Sequence, residues 1–400
     1  MGRRRPRVLI YYSQIVGPFI RHLERSNLEG SNDVIPATRA AIEFLLSGEQ
    51  QRAAVALGSA VADGVRDARA SGALGFIAYL NHQGELAVHL LERSVELGPN
   101  DAYNLALLAV CYLSLERYAL ALDAFRRALC LDPTLYVAHT LIWSAIAGAG
   151  MMDKALGALK TALLDDRERA PASVASKVRV EDTTLCMVDC VNHQLAERAL
   201  RMCMTGCIFE QVKWLTDRPI AVPGVQTVVI PPLRSPAEYS RFMMKNLLRY
   251  TETEYALVAQ WDGYVVNPQA WSPEFLLFDY IGARWDHPLH RKARHHNVGN
   301  GGFSLRSRAL LQALQDPAIE PSHPEDAAIC RNYRSYLEDR HGIVFAPEEV
   351  ADRFSFEHIE HAVLPFGFHG VTNLARFAAA PGFATLDFLF DGQQHQAPPG

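Results

Sequence analysis

A chain of 400 residues, 49% apolar and carrying a net charge of -5, has material for two or more cores and no excess of positive charge for nucleic acid. No apolar run reaches the roughly 18 residues needed to span a bilayer, so no transmembrane helix is expected. The seven cysteines show no paired-loop pattern. Cys186 with Cys190, and Cys203 with Cys207, are spaced one residue wider than a zinc-ribbon C-x-x-C, so they read as reduced cytosolic thiols packed in a core.

At the beginning, Arg3, Arg4, Arg5 and Arg7 precede an apolar stretch at 8–12, an order found in signal peptides. Ser13, Gln14, Gly17 and Pro18 break that stretch and no small-residue cleavage site follows. Residues 1–33 are therefore expected as an N-terminal segment of a cytoplasmic protein. Over 34–167 the chain repeats itself. Ala53, Ala87, Ala121 and Ala155 share a step of about 34 residues with Leu57, Leu91, Phe125 and Leu159. The same step relates Ala41, Gly75, Ala109 and Trp143, and also Phe44, Ala78, Tyr112 and Ile146. Small residues let two helices approach and large ones fill the groove, so each unit is a helical hairpin that stacks on its neighbours. The pattern resembles the tetratricopeptide repeat, most closely over 101–134, where Ala109, Tyr112, Ala121, Phe125 and Pro133 follow the repeat's order. Such a solenoid offers either a groove for a protein partner or a stacking platform.

Residues 168–182 lose periodicity and read as a linker. Beyond them, over 183–375, the pattern changes class. Strands are expected at 184–191, 211–215, 225–230 and 255–259. Helices are expected at 194–204, 235–249 and 306–314, the second with Ser235 as N-cap and Glu238 three residues later. Strands alternating with helices predict an open, mostly parallel sheet with helices on both faces, its ligand beyond the carboxyl ends of the strands. That places Asp189, Asn192, Asp217 and Asp262 along one rim.

Asp262 interrupts an apolar run, and a buried carboxylate needs a cation, a metal or donors. Its plainer role is to cap a turn before Gly263. Gly299, Gly301 and Gly302 either bring backbone close to a ligand or only make a tight turn. Glu325 follows Ser322 by three residues and fits a capping box, whereas Asp326, in the first turn of a helix, could face a site and act as a general base. His287, His290, His295 and His296 lie with Arg291, Lys292 and Arg294 in a solvated loop or a lid. His358 and His361 do not match zincin spacing. Trp261, Trp271 and Trp285 are core residues, or one of them stacks on a sugar. Residues 376–400 form a tail.

Gln260, Trp261, Asp262, Gly263, then Phe278, Asp279, Tyr280, Ile281, Gly282, Ala283, then the block Asn297, Val298, Gly299, Asn300, Gly301, Gly302, Phe303, Ser304, Leu305, Arg306, and finally Pro324, Glu325, Asp326 carry a second resemblance. Over 184–369 the chain resembles a little-characterised bacterial and fungal family of unknown-function domains, placed near the GT-A glycosyltransferases. The order of the blocks is similar to galactosyltransferase-type GT-A enzymes. This resemblance implies a GT-A-like open mixed sheet and a nucleotide-sugar donor, with a protein, glycan or small-molecule acceptor. It further implies Asp262 and His369 as ligands of Mn²⁺ or Mg²⁺, Asp326 with Glu325 as the catalytic carboxylates, and Asn300, Gly301, Gly302 and Trp261 on the substrate. The rim argument adds Asp189, Asn192 and Asp217 on the nucleoside side. Gln260 stands where those enzymes commonly have the first carboxylate of Asp-x-Asp. The competing reading is a non-catalytic tetratricopeptide scaffold with a nucleotide- or glycan-binding domain.

Overall fold

The computed structural model describes residues 19, 40, 43–45, 47–62, 68–165, 176–285, 297–357 and 363–377. Outside them lie the arginines near the start, residues 166–175, which include the first part of the expected linker, and 286–296 with His287, His290, His295 and His296. His358, His361 and the tail beyond 377 lie outside as well. The chain divides into two compact units, one ending at Leu159 and the other running from Lys160 to Ala379. Among the described residues no helix is long and apolar enough to cross a membrane. All seven cysteines are unpaired.

The first unit is a run of antiparallel helical hairpins. Ala68–Leu80 packs on Gly84–Leu97, Ala102–Ser114 on Tyr118–Leu131, and Tyr136–Gly148 leads into Met152–Asp165. The repeating small positions Ala53, Ala87, Ala109 and Ala121 are fully buried, as are Leu57, Leu91 and Phe125 one turn on. Gly75 shows why the register needs a small residue: a Cβ there would lie 2.6 Å from Leu91 Cγ. Between hairpins, buried Ser94 donates to the Ala68 carbonyl at 2.7 Å and accepts from Asn104 Nδ2 at 3.0 Å, so that interface is keyed as well as greasy. This is the stacked helical-repeat arrangement the 34-residue period predicts, and it resembles a tetratricopeptide solenoid.

The second unit is built on a six-stranded mixed sheet. Its strands are β1 (Val178–Val188), β2 (Cys207–Thr216), β3 (Gln226–Val229), β4 (Tyr255–Ala259), β5 (Tyr280–Ile281) and β6 (Phe303–Ser307), in the order β3-β2-β1-β4-β6-β5. The first four run parallel, and β6 is antiparallel to both β4 and β5. β4 and the last four residues of β1, 185–188, are continuously apolar because both faces are covered there. On one face Cys186, Val188, Ala256 and Val258 pack with Phe242, Met243 and Leu247, from helix Pro236–Lys245 and the turn after it, and with Leu311. Strand alternation turns Leu185, Met187, Leu257 and Ala259 to the other face, and helix His193–Gly206 packs against β1 and β2.

Several boundaries differ from expectation. β1 begins at Val178, inside the expected linker of 168–182, and ends at Val188 rather than at 191, and β2 begins at Cys207 rather than at 211. The helix after Ser235 ends at Lys245, and Leu247–Tyr250 is a 3₁₀ turn. The helix expected from 306 starts at Arg308, where Ser307 Oγ accepts the Leu310 amide at 2.9 Å, and residues 303–307 are spent on β6. A short parallel pair, β7 (Ser355–Phe356) and β8 (Gly367–Phe368), has no periodic signal in the sequence at all.

Candidate functional site

In the order β3-β2-β1-β4 the chain goes outward from β1 to β3 and then returns to lay β4 on the other side of β1. A crevice opens at such a reversal, beyond the carboxyl ends of the two strands. Here it is a cavity of about 500 Å³. Val188 and Asp189 from the end of β1 line it, with Gln260 and Trp261 from the end of β4. Asn300, Gly301 and Gly302, then Glu325 and Asp326, and finally Glu357 and His369 complete the wall.

The last two arrive together because β7 and β8 pair in parallel and each delivers its following residue to the same edge. The His369 amide donates to the Phe356 carbonyl at 3.0 Å. His369 Nδ1 lies 3.5 Å from Glu357 Oε1, and Nε2 lies 3.4 Å from Asp262 Oδ1 and 3.2 Å from Gln260 Oε1. Burial works against an imidazolium there, but Asp262 and Glu357 on opposite sides outweigh it and hold the His369 pKa well above the usual value. Asp262 Oδ1 is buried and has no hydrogen-bond partner. The turn-cap alternative for Asp262 therefore does not account for it, since the carboxylate faces the imidazole.

Do these side chains fit a dication? An orphaned carboxylate oxygen and an imidazole nitrogen face one another, and a second carboxylate sits on the far ring nitrogen, the usual second-layer partner of a ligating histidine. Among the described residues, however, no group of three or more His, Cys, Asp and Glu side chains is arranged to hold a metal. Asp262 and His369 by themselves therefore supply two donor groups, short of such a set.

The glycine block is pressed against His369 and Glu325. A Cβ on Gly302 would lie 2.1 Å from His369 Nε2, and one on Gly301 would lie 2.3 Å from Glu325 Oε1. These glycines are close-approach positions rather than a mere turn. Asn300 holds the loop from inside: at φ 68° its Oδ1 accepts the Gly302 amide at 3.1 Å while its Nδ2 donates to Glu357 Oε2 at 2.7 Å.

Glu325 and Asp326 part company. Glu325 is buried and pairs with the fully buried Arg306 at 3.2 Å; it also accepts from Ser240 Oγ at 3.2 Å. It forms no capping box, because the helix start at Pro324 has no side-chain cap. Arg306 in turn donates to the Gly301 carbonyl at 3.3 Å. Asp326 accepts the Gly301 amide at 3.2 Å and the Ala327 amide at 2.7 Å. Burial, and then the Glu325 charge, raise its pKa above the ordinary aspartate value despite those donors.

Of the rim residues, Asp189 and Asn192 line the cavity. Asp189 Oδ1 accepts the Val191 and Asn192 amides at 2.7 and 2.5 Å, so it shapes the turn into helix His193–Gly206. Asp217 is a correction. It stands at the end of β2 but turns away to Arg218 and His193, which hold its pKa down to about 2, and it does not line the cavity. The sheet edge places a residue near a crevice, but the side chain follows the nearest cation.

Of three tryptophans, Trp261 lines the cavity, Trp271 packs on Phe275 and Phe366, and Trp285 lies under Arg331. Sequence reasoning did not find Glu357, Tyr239, Ser240 or His323, and it named Arg306 only as part of the glycine block and as a helix start, with no role in the site. Tyr239 accepts from Gln260 Nε2 at 2.8 Å, and burial raises its phenol pKa. Only the arginine two places after Ser304 in the glycine block carried a usable signal, as a charge inside an apolar run.

Residues 224–369 match a family described as Protein of unknown function (DUF5672). No curated protein matches the chain. Among solved structures, the chain is similar to a crystal structure of MamA at 22% identity, over 42% of this chain and 97% of that one, with a TM-score of 0.32. It is similar to MamA from Desulfovibrio magneticus RS-1 at 22% identity, over 38% and 86%, with a TM-score of 0.30. It is also similar to a mutant of the Thermobaculum terrenum O-GlcNAc transferase at 16% identity, over 54% of this chain and 44% of that one, with a TM-score of 0.27.

Proposed function

We propose that the second unit is a GT-A-like glycosyltransferase. It moves a sugar from a nucleotide-sugar donor to a hydroxyl of a protein, glycan or small-molecule acceptor, in the cytoplasm. The observation that carries the reading is the meeting of His369, the glycine block and Asp326 at one cavity beyond β1 and β4, with Asp262, which does not itself line the cavity, 3.4 Å from His369 Nε2. These groups come from distant parts of the chain, and neither a turn nor a helix cap requires them to meet.

Asp326 acts as general base. Its raised pKa suits a group that must hold a proton briefly, and the two amides it accepts leave lone pairs free for an acceptor hydroxyl. As the hydroxyl oxygen bonds to the anomeric carbon, its proton passes to Asp326. The bond to the diphosphate oxygen breaks, and its electron pair leaves with the nucleoside diphosphate. Attack opposite the leaving group gives inversion. Glu325, committed to Arg306 and Ser240, holds the glycine block and raises the Asp326 pKa. Asn300, Gly301 and Gly302 shape the acceptor side, Trp261 offers a ring face, and Asp189 and Asn192 stand on the nucleoside side.

Mn²⁺ or Mg²⁺ would be held by the Asp262 carboxylate and His369 Nε2, and would supply positive charge to the departing diphosphate. The helical repeats recruit an acceptor or partner protein.

The test is product formation from a nucleotide-sugar panel with and without Mn²⁺, in the parent and in Asp262→Ala. Turnover indifferent to that substitution removes the proposal. A second reading, binding without turnover, is favoured by Gln260 in place of a carboxylate and by the absence of a three-ligand group among the described residues. It predicts a thermal shift with nucleotide sugars and no product.

A further inference from the structure

Ser240 lies fully buried in helix Pro236–Lys245, and its Oγ is a junction. It stands 2.9 Å from His323 Nδ1 and donates to Glu325 Oε2 at 3.2 Å. The other Glu325 oxygen is held by Arg306 at 3.2 Å. A carboxylate paired to arginine can only accept, so the single Ser240 hydroxyl proton is directed at Glu325. The Ser240 oxygen must then accept from His323, which puts the ring proton on Nδ1. A neutral imidazole with that proton in place carries a bare lone pair at Nε2. His323 lines the cavity, and its Nε2 makes no hydrogen bond among the described residues.

A solvent-facing histidine has no need of such an anchor. Here Arg306 Nη2 holds one Glu325 oxygen, Ser240 holds the other, and the chain ends by fixing one exposed ring. We propose that His323 is a substrate-binding residue of this cavity, its Ser240-anchored ring presenting Nε2 to accept a hydrogen bond from a hydroxyl of a bound saccharide. The proposal rests on the sugar-transfer reading of the second unit. A lone pair accepts and does not donate, so it selects hydroxyl donors and disfavours phosphate oxygens. The neighbouring Asp326 and Glu357 carboxylates are acceptors too, which suits a polyhydroxyl ligand.

The test begins with the full chain labelled with ¹⁵N-histidine, the His323 signal being assigned by its absence in His323→Gln. Long-range proton–nitrogen correlation is expected to show a ring protonated at Nδ1, and a mixed or reversed tautomer in Ser240→Ala. A ring protonated at Nε2 in the parent overturns the proposal, as does an unchanged tautomer in the folded Ser240→Ala variant. Should that variant fail to fold, the remaining arms decide. Adding methyl glucoside, methyl galactoside, N-acetylglucosamine or lactose is expected to move the Nε2 resonance with at least one of them; no movement with any overturns it. If the parent transfers sugar, His323→Ala is expected to raise KM for the saccharide acceptor about fivefold, with kcat much less affected, and His323→Gln, which keeps an acceptor atom, to restore it. A fall in kcat alone overturns the binding role. If the parent transfers nothing, the sugar-transfer reading fails by itself and the spectral arms still judge His323.

Discussion

The Arg306–Glu325 pair allows the clearest numerical test. Arg306 has no exposed surface, and Glu325 is the carboxylate paired with it; the guanidinium also donates to the neutral Ser304 hydroxyl and the Gly301 carbonyl. Glu325→Gln keeps the size of the side chain and removes its charge, leaving a buried guanidinium uncompensated. Breaking a buried pair on one side costs about 3–5 kcal/mol. For a unit of this size each kcal/mol lowers the melting temperature by about 2–4 °C, so the full chain should lose roughly 6–20 °C in the transition that includes the second unit. The assay is thermal unfolding of Glu325→Gln, and of Arg306→Met, Glu325→Leu and the two combined, the last three closed with the parent as a double-mutant cycle. Each single change should be strongly destabilising and the apolar pair much less so, because neither partner is then left charged and buried. A Glu325→Gln protein melting within about 2 °C of the parent would show that water reaches the pair, and the claim that Glu325 fixes the glycine block would fall with it.

Three further expectations follow from the same geometry. Gly302→Ala would place a methyl group 2.1 Å from His369 Nε2 and push the ring from Asp262, so nucleotide-sugar turnover and its response to Mn²⁺ should both drop at least tenfold in a protein that still folds; unchanged Mn²⁺ response removes His369 from the proposed metal site. Asp326 works as a base only when deprotonated, so with its pKa raised, kcat/KM should be full above that value and lost as pH falls through it, in a window higher than an ordinary aspartate gives. Asp326→Asn should abolish that acid limb and lower the rate on the order of 10²–10⁴-fold. In the repeats, Gly75→Ala brings a Cβ to 2.6 Å from Leu91 Cγ and should destabilise by about 1–3 kcal/mol in chemical denaturation, an overpacking cost that Leu91→Ala in the same chain should relieve.

Much of the scaffold was readable from the residues. The 34-residue step fixed the hairpins because each helix must bury the same small and large positions in turn. The apolar runs at the end of β1 and in β4 announced buried strands, and Ser235 with Glu238 marked a helix start that the backbone adopts, the Glu238 amide donating to Ser235 Oγ at 3.2 Å. β6 was hidden because its residues run without a break into the helix at Arg308, and the apolar pattern of a short buried strand matches that of a helix start. β5, β7 and β8 are two residues long, too short to show any period.

The sequence by itself determined the kinds of element, since periodicity and caps are local properties of neighbouring residues. It also marked Asp262 and the glycine block as out of place in apolar surroundings. Which groups share the cavity was decided only in three dimensions. Gln260 and His369 touch across 109 positions of chain, and Ser240 reaches Glu325 across 85. Asp217, on the rim by strand order, was lost to Arg218 and His193, while Glu357 and His323, each without a motif, were brought in. A side chain settles where burial, charge and hydrogen bonds balance, and the partners that set that balance come from elements the local sequence does not contain.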